Sequence, residues 1–280
     1  NDIKARIKLK KIVRSKKFDL IHAHYGQSGF ISKFNGVPLI TTFHGTDVMG
    51  IVGKDGSYTL MGRALTILSK LTSLISDSCI CVSSRIANRL PNTINKNIIP
   101  CGIDTRIFKK MDKLKCRESL KFEKKKYILF AGNPLIGVKN YKLALQSFDM
   151  YVKNSNVDAC LIPLKGYDRS QVPELLNAVD LLLMTSKHEG SPMVIKEAIA
   201  CRTPIVSVDV GDVKELIEDI PGSYVVKRKS AKKISDKIKK SFLQNDSEKS
   251  DSSVKSIDLE HINNKLIITY KNLIKEYYNN

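Results

Sequence analysis

Two glutamates, Glu189 and Glu197, stand with seven residues between them in the run Glu189-Gly-Ser-Pro-Met-Val-Ile-Lys-Glu197. The run follows a continuously apolar stretch, Leu181 to Met184, which reads as a parallel strand buried on both faces. A helix then opens, with Ser191 as its N-cap and Pro192 at the first helical position. Met193 and Val194 would leave backbone N–H groups free at that helix N-terminus, a ready site for phosphate. Glu189 sits in the loop ahead of it, and Glu197 lies roughly one turn inside, about 6 Å along the axis. Carboxylates accept hydrogen bonds from sugar hydroxyls, and a helix end takes a diphosphate. A nucleotide-sugar fits that arrangement. Acidic residues are also favoured near any helix start, so the pair taken alone leaves both readings open.

The surrounding residues narrow the choice. Asp180-Leu-Leu-Leu-Met-Thr-Ser186, Glu189-Gly-Ser-Pro192, Lys196-Glu-Ala-Ile-Ala-Cys201, Pro204-Ile-Val206 and Asp209-Val-Gly-Asp212 together resemble the donor-binding segment of family 4 glycosyltransferases, retaining enzymes of the GT-B fold. The two glutamates match that family's pair. The likeness is densest between Val179 and Ile217. A run from Phe130-Ala-Gly-Asn-Pro134 to Val138-Lys-Asn-Tyr-Lys-Leu-Ala144 is similar to the family's phosphate-binding loop and following helix. Lys139 there matches the lysine that holds the donor diphosphate, where a cation stabilises charge on the departing phosphate. Asn133 departs from the pattern, because many members carry arginine beside the glycine.

Three of the five histidines fall near the ends of expected strands: His22 and His24 after Phe18-Asp-Leu-Ile, and His44 after Ile40-Thr-Thr-Phe. Thr42-Phe-His-Gly-Thr-Asp47 is similar to the family's histidine–glycine loop, which reaches the transferred sugar. His24, Tyr25 and Gly26 are acceptor-side candidates, although Tyr25-Gly-Gln-Ser-Gly29 also reads as a tight turn.

The elements that must position these residues alternate between strand and helix. Strands are expected at Phe18–His22, Pro38–Phe43, Cys79–Val82 and Ile98–Ile99, then at Tyr127–Ala131, Ala159–Pro163, Leu181–Met184 and Ile205–Val208. Helices are expected at Asn1–Ser15, at Leu60–Leu74 with an apolar face, at Asn140–Tyr151 and at Leu259–Tyr278. This alternation argues for an α/β protein with parallel, doubly wound sheets. The resemblance implies a GT-B arrangement of two Rossmann-like domains facing a central cleft. The expected division is an acceptor-side domain at 1–115, a donor domain at 116–250, and a C-terminal helix at 251–280 that could cross back to the first domain. Lysine-rich Lys109–Lys126 is the expected linker, and Asn245–Ser256 a second loose connector. The chain begins inside a helix, without the opening strand and glycine-rich loop with which the family starts. A truncated first domain is therefore expected.

Composition sets limits. The 280 residues are 42% hydrophobic, enough for one large core or two modest ones. No apolar run approaches the roughly 18 residues that span a bilayer. Six cysteines, at 79, 81, 101, 116, 160 and 201, lack zinc-ligand or redox spacing and suit a reducing cytoplasm. No metal-ligand cluster or Asp-x-Asp motif is present, so neither metal nor cofactor is expected. The net charge of +19 favours anionic surfaces, with lysines clustered at 4–17, 109–126 and 227–240. Aromatic residues do not interleave with them and Trp is absent, which disfavours nucleic acid. Solvated surface is the first reading, and a patch facing the inner side of a membrane the second.

The resemblance implies transfer of a sugar from a nucleotide diphosphate, with retention, to a glycan, a lipid-linked or a small-molecule acceptor, as in cell-surface polysaccharide synthesis. In that reading Glu189 holds donor-sugar hydroxyls and Glu197 the ribose. Lys139, with Asn133 and the residues Gly190, Ser191, Pro192, Met193 and Val194, lines the diphosphate. His44 stands at the reacting sugar. A nucleotide-sugar epimerase of the same fold and a non-catalytic nucleotide-sugar-binding module are the alternatives.

Overall fold

The computed structural model describes residues 2–51, 53, 57–244 and 251–279. The chain divides into two compact units, Asn1–Cys101 with Ile262–Asn280, and Gly102–His261.

In the first unit, β1 (Ile21–His24), β2 (Leu39–Phe43), β3 (Ser78–Cys81) and β4 (Lys96–Ile98) form one parallel sheet in the order β1-β2-β3-β4. Phe43, Cys79, Cys81, Val82, Ile86 and Leu90 make one core cluster. Ile40, Ile80 and Ile99 make another, completed by Ile262 and Leu273 of the helix Leu259–Asn279, with Leu266 and Tyr270 packed against it. Those four helical positions recur at three- and four-residue steps, the apolar stripe of a helix lying on a sheet.

The second unit holds β5 (Lys126–Phe130), β6 (Ala159–Pro163), β7 (Leu181–Met184), β8 (Ile205–Val208) and β9 (Tyr224–Val226) in the order β6-β5-β7-β8-β9, every pair parallel. All four residues of β7 are fully buried. That is why its sequence is apolar without alternation. The helices Tyr141–Ser155 and Ala231–Leu243 flank this sheet.

Several expectations need correction. β1 begins at Ile21 rather than Phe18, so His22 and His24 lie within the strand, paired with Ile40 and Thr42. Gly26 opens a helix, Gly26–Ser32, in place of a tight turn. The helix Leu60–Ile75 exists, but it buries Gly62, Ser69, Thr72 and Ser73 and turns Leu60, Ile67, Leu71 and Leu74 outward.

The stretch Lys109–Lys126 is not a linker: it is structured within the second unit, and the division falls at Cys101/Gly102 instead of 115/116. The reason is Asp180. Its side chain is buried, and it accepts from Lys113 Nζ and Arg117 Nη2 at 2.7 Å each. Asp112 caps the helix Lys113–Ser119 through Lys115 N, and Met111 N donates to Asn177 Oδ1 at 2.7 Å. Of the second expected connector, residues 245–250 lie outside the described residues, and Asp251–Ile257 is a helix.

Candidate functional site

In the second unit, β5 ends in a loop that leads through a short 3-10 turn, Gly137–Lys139, into the helix Tyr141–Ser155. Asn140 takes the left-handed conformation between them, with φ 56°. Thr185, just past β7, places its hydroxyl 3.2 Å from Lys139 O and 3.0 Å from Asn140 O. Lys187 N donates to Val138 O at 2.8 Å. These bonds tie the loop after β5 to the loop after β7, at the carboxyl ends of neighbouring strands where α/β sheets bind ligands. Lys139 Nζ consequently reaches Glu189 Oε1 at 2.7 Å. Asn133 is nearby in sequence, but its Oδ1 accepts from Leu135 N at 3.0 Å and shapes its own turn.

The helix after Glu189 is Met193–Ala200, and its N-cap is Pro192, not Ser191. The expected cap fails because the Ser191 hydroxyl is engaged elsewhere. Lys196 Nζ donates to Ser191 Oγ at 2.7 Å, and Ser191 Oγ donates to Asp212 Oδ2 at 2.5 Å. Lys196 is fully buried, so its ammonium requires such partners. Burial pushes the Asp212 carboxyl up from its ordinary value, opposed by the Ser191 hydrogen bond and the Lys196 charge. Glu197, one residue beyond Lys196, is 2% exposed and pairs with Arg169 Nη2 at 2.6 Å. Gly190, Ser191, Pro192, Met193 and Val194 thus form the segment between two carboxylates, each held by a cation.

In the first unit, β1 and β2 bring His22, His24 and His44 together. His24 Nδ1 lies 2.8 Å from His44 Nε2. The rings of His22 and His24 are 4.5 Å apart, and those of Tyr25 and His44 4.7 Å. His22 bridges Tyr270 Oη at 2.6 Å and Thr42 Oγ1 at 2.7 Å through its two ring nitrogens. Burial, then the nearby His24 and His44, lowers the His22 pKa to about 4. Burial also lowers that of His44, with His24 adding to the effect and Asp47 opposing it. Asp47, buried beneath the loop, accepts from the N–H groups of Gly45 at 2.8 Å, His44 at 3.2 Å and Gly26 at 3.3 Å. One carboxylate therefore holds the two backbone segments that carry His44 and Tyr25-Gly26. Tyr25 has φ 71° and ψ 148°, a region nearly reserved for glycine, and such strain concentrates at functional sites.

Arg169, Lys196, Asp47 and Tyr270 were not anticipated as site residues. Lys196 carried a usable signal, being with Glu197 one of two charges inside an otherwise apolar helical run. Arg169 in Asp168-Arg-Ser-Gln171 and Tyr270 on a distant helix carried none. Among the described residues no group of three or more His, Cys, Asp or Glu side chains could hold a metal ion, and no helix is long and apolar enough to cross a membrane. Cys79, Cys81 and Cys201 are buried free thiols, and burial pushes each up to about 12.

Two parallel α/β units of this kind, with these loops at the strand ends, define the GT-B class. A family profile described as Glycosyltransferase Family 4 matches residues 1–107, and one described as Glycosyl transferases group 1 matches residues 162–256. The chain is thus similar to glycosyltransferases of these families over two separate parts, each less than half of its length. It is 23% identical over 254 residues to N-acetyl-alpha-D-glucosaminyl L-malate synthase of Bacillus anthracis, covering 80% of this chain and 65% of that protein, so it spans less than two thirds of that relative's length. Among solved structures it is similar to sucrose-phosphate synthase from Thermosynechococcus elongatus, with TM-score 0.78 and 16% identity, covering 98% of this chain and 78% of the other. It is also similar to Anabaena Alr3699/HepE in complex with UDP-glucose, with TM-score 0.68 and 15% identity, covering 95% and 82%.

Proposed function

We propose that this protein transfers a sugar from a nucleotide-diphosphate sugar to a hydroxyl acceptor, with retention at the anomeric carbon and without a metal. The observation that carries this reading is the pairing of Lys139 with Glu189 just ahead of the N-terminus of the helix Met193–Ala200. A cation, free helix N–H groups and a sugar-binding carboxylate are then within one loop system, the set a sugar diphosphate needs. Alr3699/HepE was solved with UDP-glucose, which supports the donor class, and the relative from Bacillus anthracis is named for a glucosaminyl product, which supports sugar transfer.

In this reading the bond between the anomeric carbon and the phosphate oxygen breaks, and the acceptor oxygen bonds on the same face. The acceptor proton passes to the departing phosphate. Lys139 and the amides of Met193 and Val194 stabilise that phosphate. Glu189 orients sugar hydroxyls, Glu197 the ribose, and His44 the reacting sugar. The acceptor is a glycan, a lipid-linked glycan or a small molecule, and the basic surface suits work beside an anionic membrane.

Calorimetric titration with UDP-, GDP- and ADP-sugars tests the donor site, using the wild type and Glu197→Ala. Binding of one donor, lost in the variant, is expected and names the sugar. No binding of any donor to the wild type overturns the reading. Donor turnover to an epimer with no acceptor present would instead point to an epimerase.

A further inference from the structure

Glu197 presents a physical problem that the donor-site reading leaves open. Its carboxylate is 2% exposed, and an ionised carboxylate removed from water is strongly disfavoured unless a partner holds it. A ribose diol needs that carboxylate held in one orientation, because its two hydroxyls donate along fixed directions. The partner is Arg169, whose Nη2 lies 2.6 Å from Glu197 Oε1 while its own side chain is 64% exposed.

Arg169 is itself held. It begins the 3-10 turn Arg169–Gln171, which is closed by a capping box between Asp168 and Gln171, with Gln171 Oε1 accepting from Asp168 N at 2.9 Å. Its guanidinium carbon lies 4.7 Å from the centroid of the buried Phe108 ring, a cation–π contact that favours a flat, fixed guanidinium. The turn follows β6, the edge strand beside β5, whereas Glu197 is on the helix after β7. The ion pair therefore spans the carboxyl ends of three adjacent strands.

We infer that Arg169 is a positioning residue for nucleoside recognition: clamped on Phe108, it holds the Glu197 carboxylate in place for the ribose hydroxyls. This rests on the donor-site reading and deepens it. With Oε1 held by the guanidinium, Oε2 is the oxygen that would accept from the ribose hydroxyls. A lysine could neutralise Glu197 but could not clamp flat on the ring, so Arg169→Lys should keep part of the effect.

The test compares UDP, GDP and ADP with their 2′,3′-dideoxy counterparts by calorimetry, on the full chain and its Arg169→Ala and Arg169→Lys variants. The wild type is expected to prefer the ribose form of the nucleotide it binds by about tenfold or more, the size of hydrogen bonds to a charged group. Arg169→Ala should reduce that preference to less than about threefold while leaving the dideoxy affinity nearly unchanged, and Arg169→Lys should fall between. A purely structural or long-range charge role would weaken both forms alike, and that result overturns the inference, as does equal binding of both forms by the wild type. Binding of no nucleotide by the wild type defeats the donor-site reading itself, a separate outcome. Because Arg169 is largely exposed, melting curves should show the Ala variant folded; if it is not, the Lys variant's ribose preference decides, with an unaltered preference counting against the inference.

Discussion

His24 Nδ1 and His44 Nε2 lie 2.8 Å apart, with ring centroids 5.1 Å apart in a stacked arrangement. One ring must donate and the other accept, so the bond persists only while the accepting nitrogen carries no proton. Alongside them His22 is half-buried between Tyr270 and Thr42. The first unit thus gathers three imidazoles around β1 and the end of β2, where burial and the neighbouring rings oppose protonation of His22 and His44.

A pH dependence of stability follows from His22. Its folded pKa of about 4 is below the ordinary 6.5. The unfolded chain therefore takes up a proton between those values that the folded chain refuses. Stability is full above about pH 6.5 and declines as pH falls toward 4. The lowered pKa of His44 acts in the same direction. Melting temperatures measured from pH 7 to 4.5 should fall, and His22→Gln should flatten that slope. Identical slopes in the two proteins would rule His22 out as the cause.

Lys139 and Glu189 are expected to matter for transfer far more than for folding. Their side chains are 25% and 16% exposed, and partly hydrated pairs contribute only about 0–1 kcal/mol to stability. Lys139→Met and Glu189→Gln should each lower kcat/KM by about 100-fold or more, as loss of a group facing developing charge does. Urea midpoints should move little. A large stability loss with intact turnover would make the pair structural.

Parts of this architecture were legible in the sequence because they are local. β6, β7 and β8 stand where their apolar runs ended, and the run Glu189 to Glu197 does bracket a helix start. What escaped was decided by long-range contacts. Ser191 looked like a cap, but a buried lysine five residues on takes its hydroxyl. The helix Leu60–Ile75 looked amphipathic in the ordinary sense. It is inverted because its small residues approach the helix Gly26–Ser32 closely, with Thr72 Oγ1 2.9 Å from Gly26 O. The lysine-rich stretch 109–126 looked like solvent-borne linker because its organising acid, Asp180, is more than fifty residues away, as in the Lys113–Asp180 separation of 67.

That acid supplies a stability prediction. Asp180 receives Lys113, Arg117 and the backbone N–H of Tyr127 at 2.7 Å each, and its side chain is 7% exposed. Removing it leaves the Tyr127 N–H and the half-buried Arg117 without their acceptor, a loss of about 1–3 kcal/mol, whereas Lys113, 44% exposed, is solvated. Asp180→Ala should cost roughly that much of the second unit's stability in urea unfolding, and Asp180→Asn less, because the amide oxygen still accepts. A change below about 1 kcal/mol would show that the network is as weak as an exposed pair.

Gly211 allows strain and crowding to be separated at the loop before the helix Met193–Ala200. Its φ is +56°, and a Cβ there would lie 2.8 Å from Gly190 O and 3.2 Å from Pro192 Cδ. Alanine would therefore suffer the left-handed backbone, about 1–2 kcal/mol, and would also push on the segment between Glu189 and the helix. Gly36 is the matched control, with φ +81° and nothing within 4 Å of where a Cβ would lie. Gly36→Ala should lower stability by a similar backbone cost and leave nucleotide binding intact. Gly211→Ala should lower stability and also weaken nucleotide binding by about tenfold or more, since a displacement of a few tenths of an ångström moves the helix N–H groups from their phosphate. Equal affinities for the two variants would mean that the Gly190 loop does not touch the ligand, and the placement of the diphosphate at the Met193 helix would have to be abandoned.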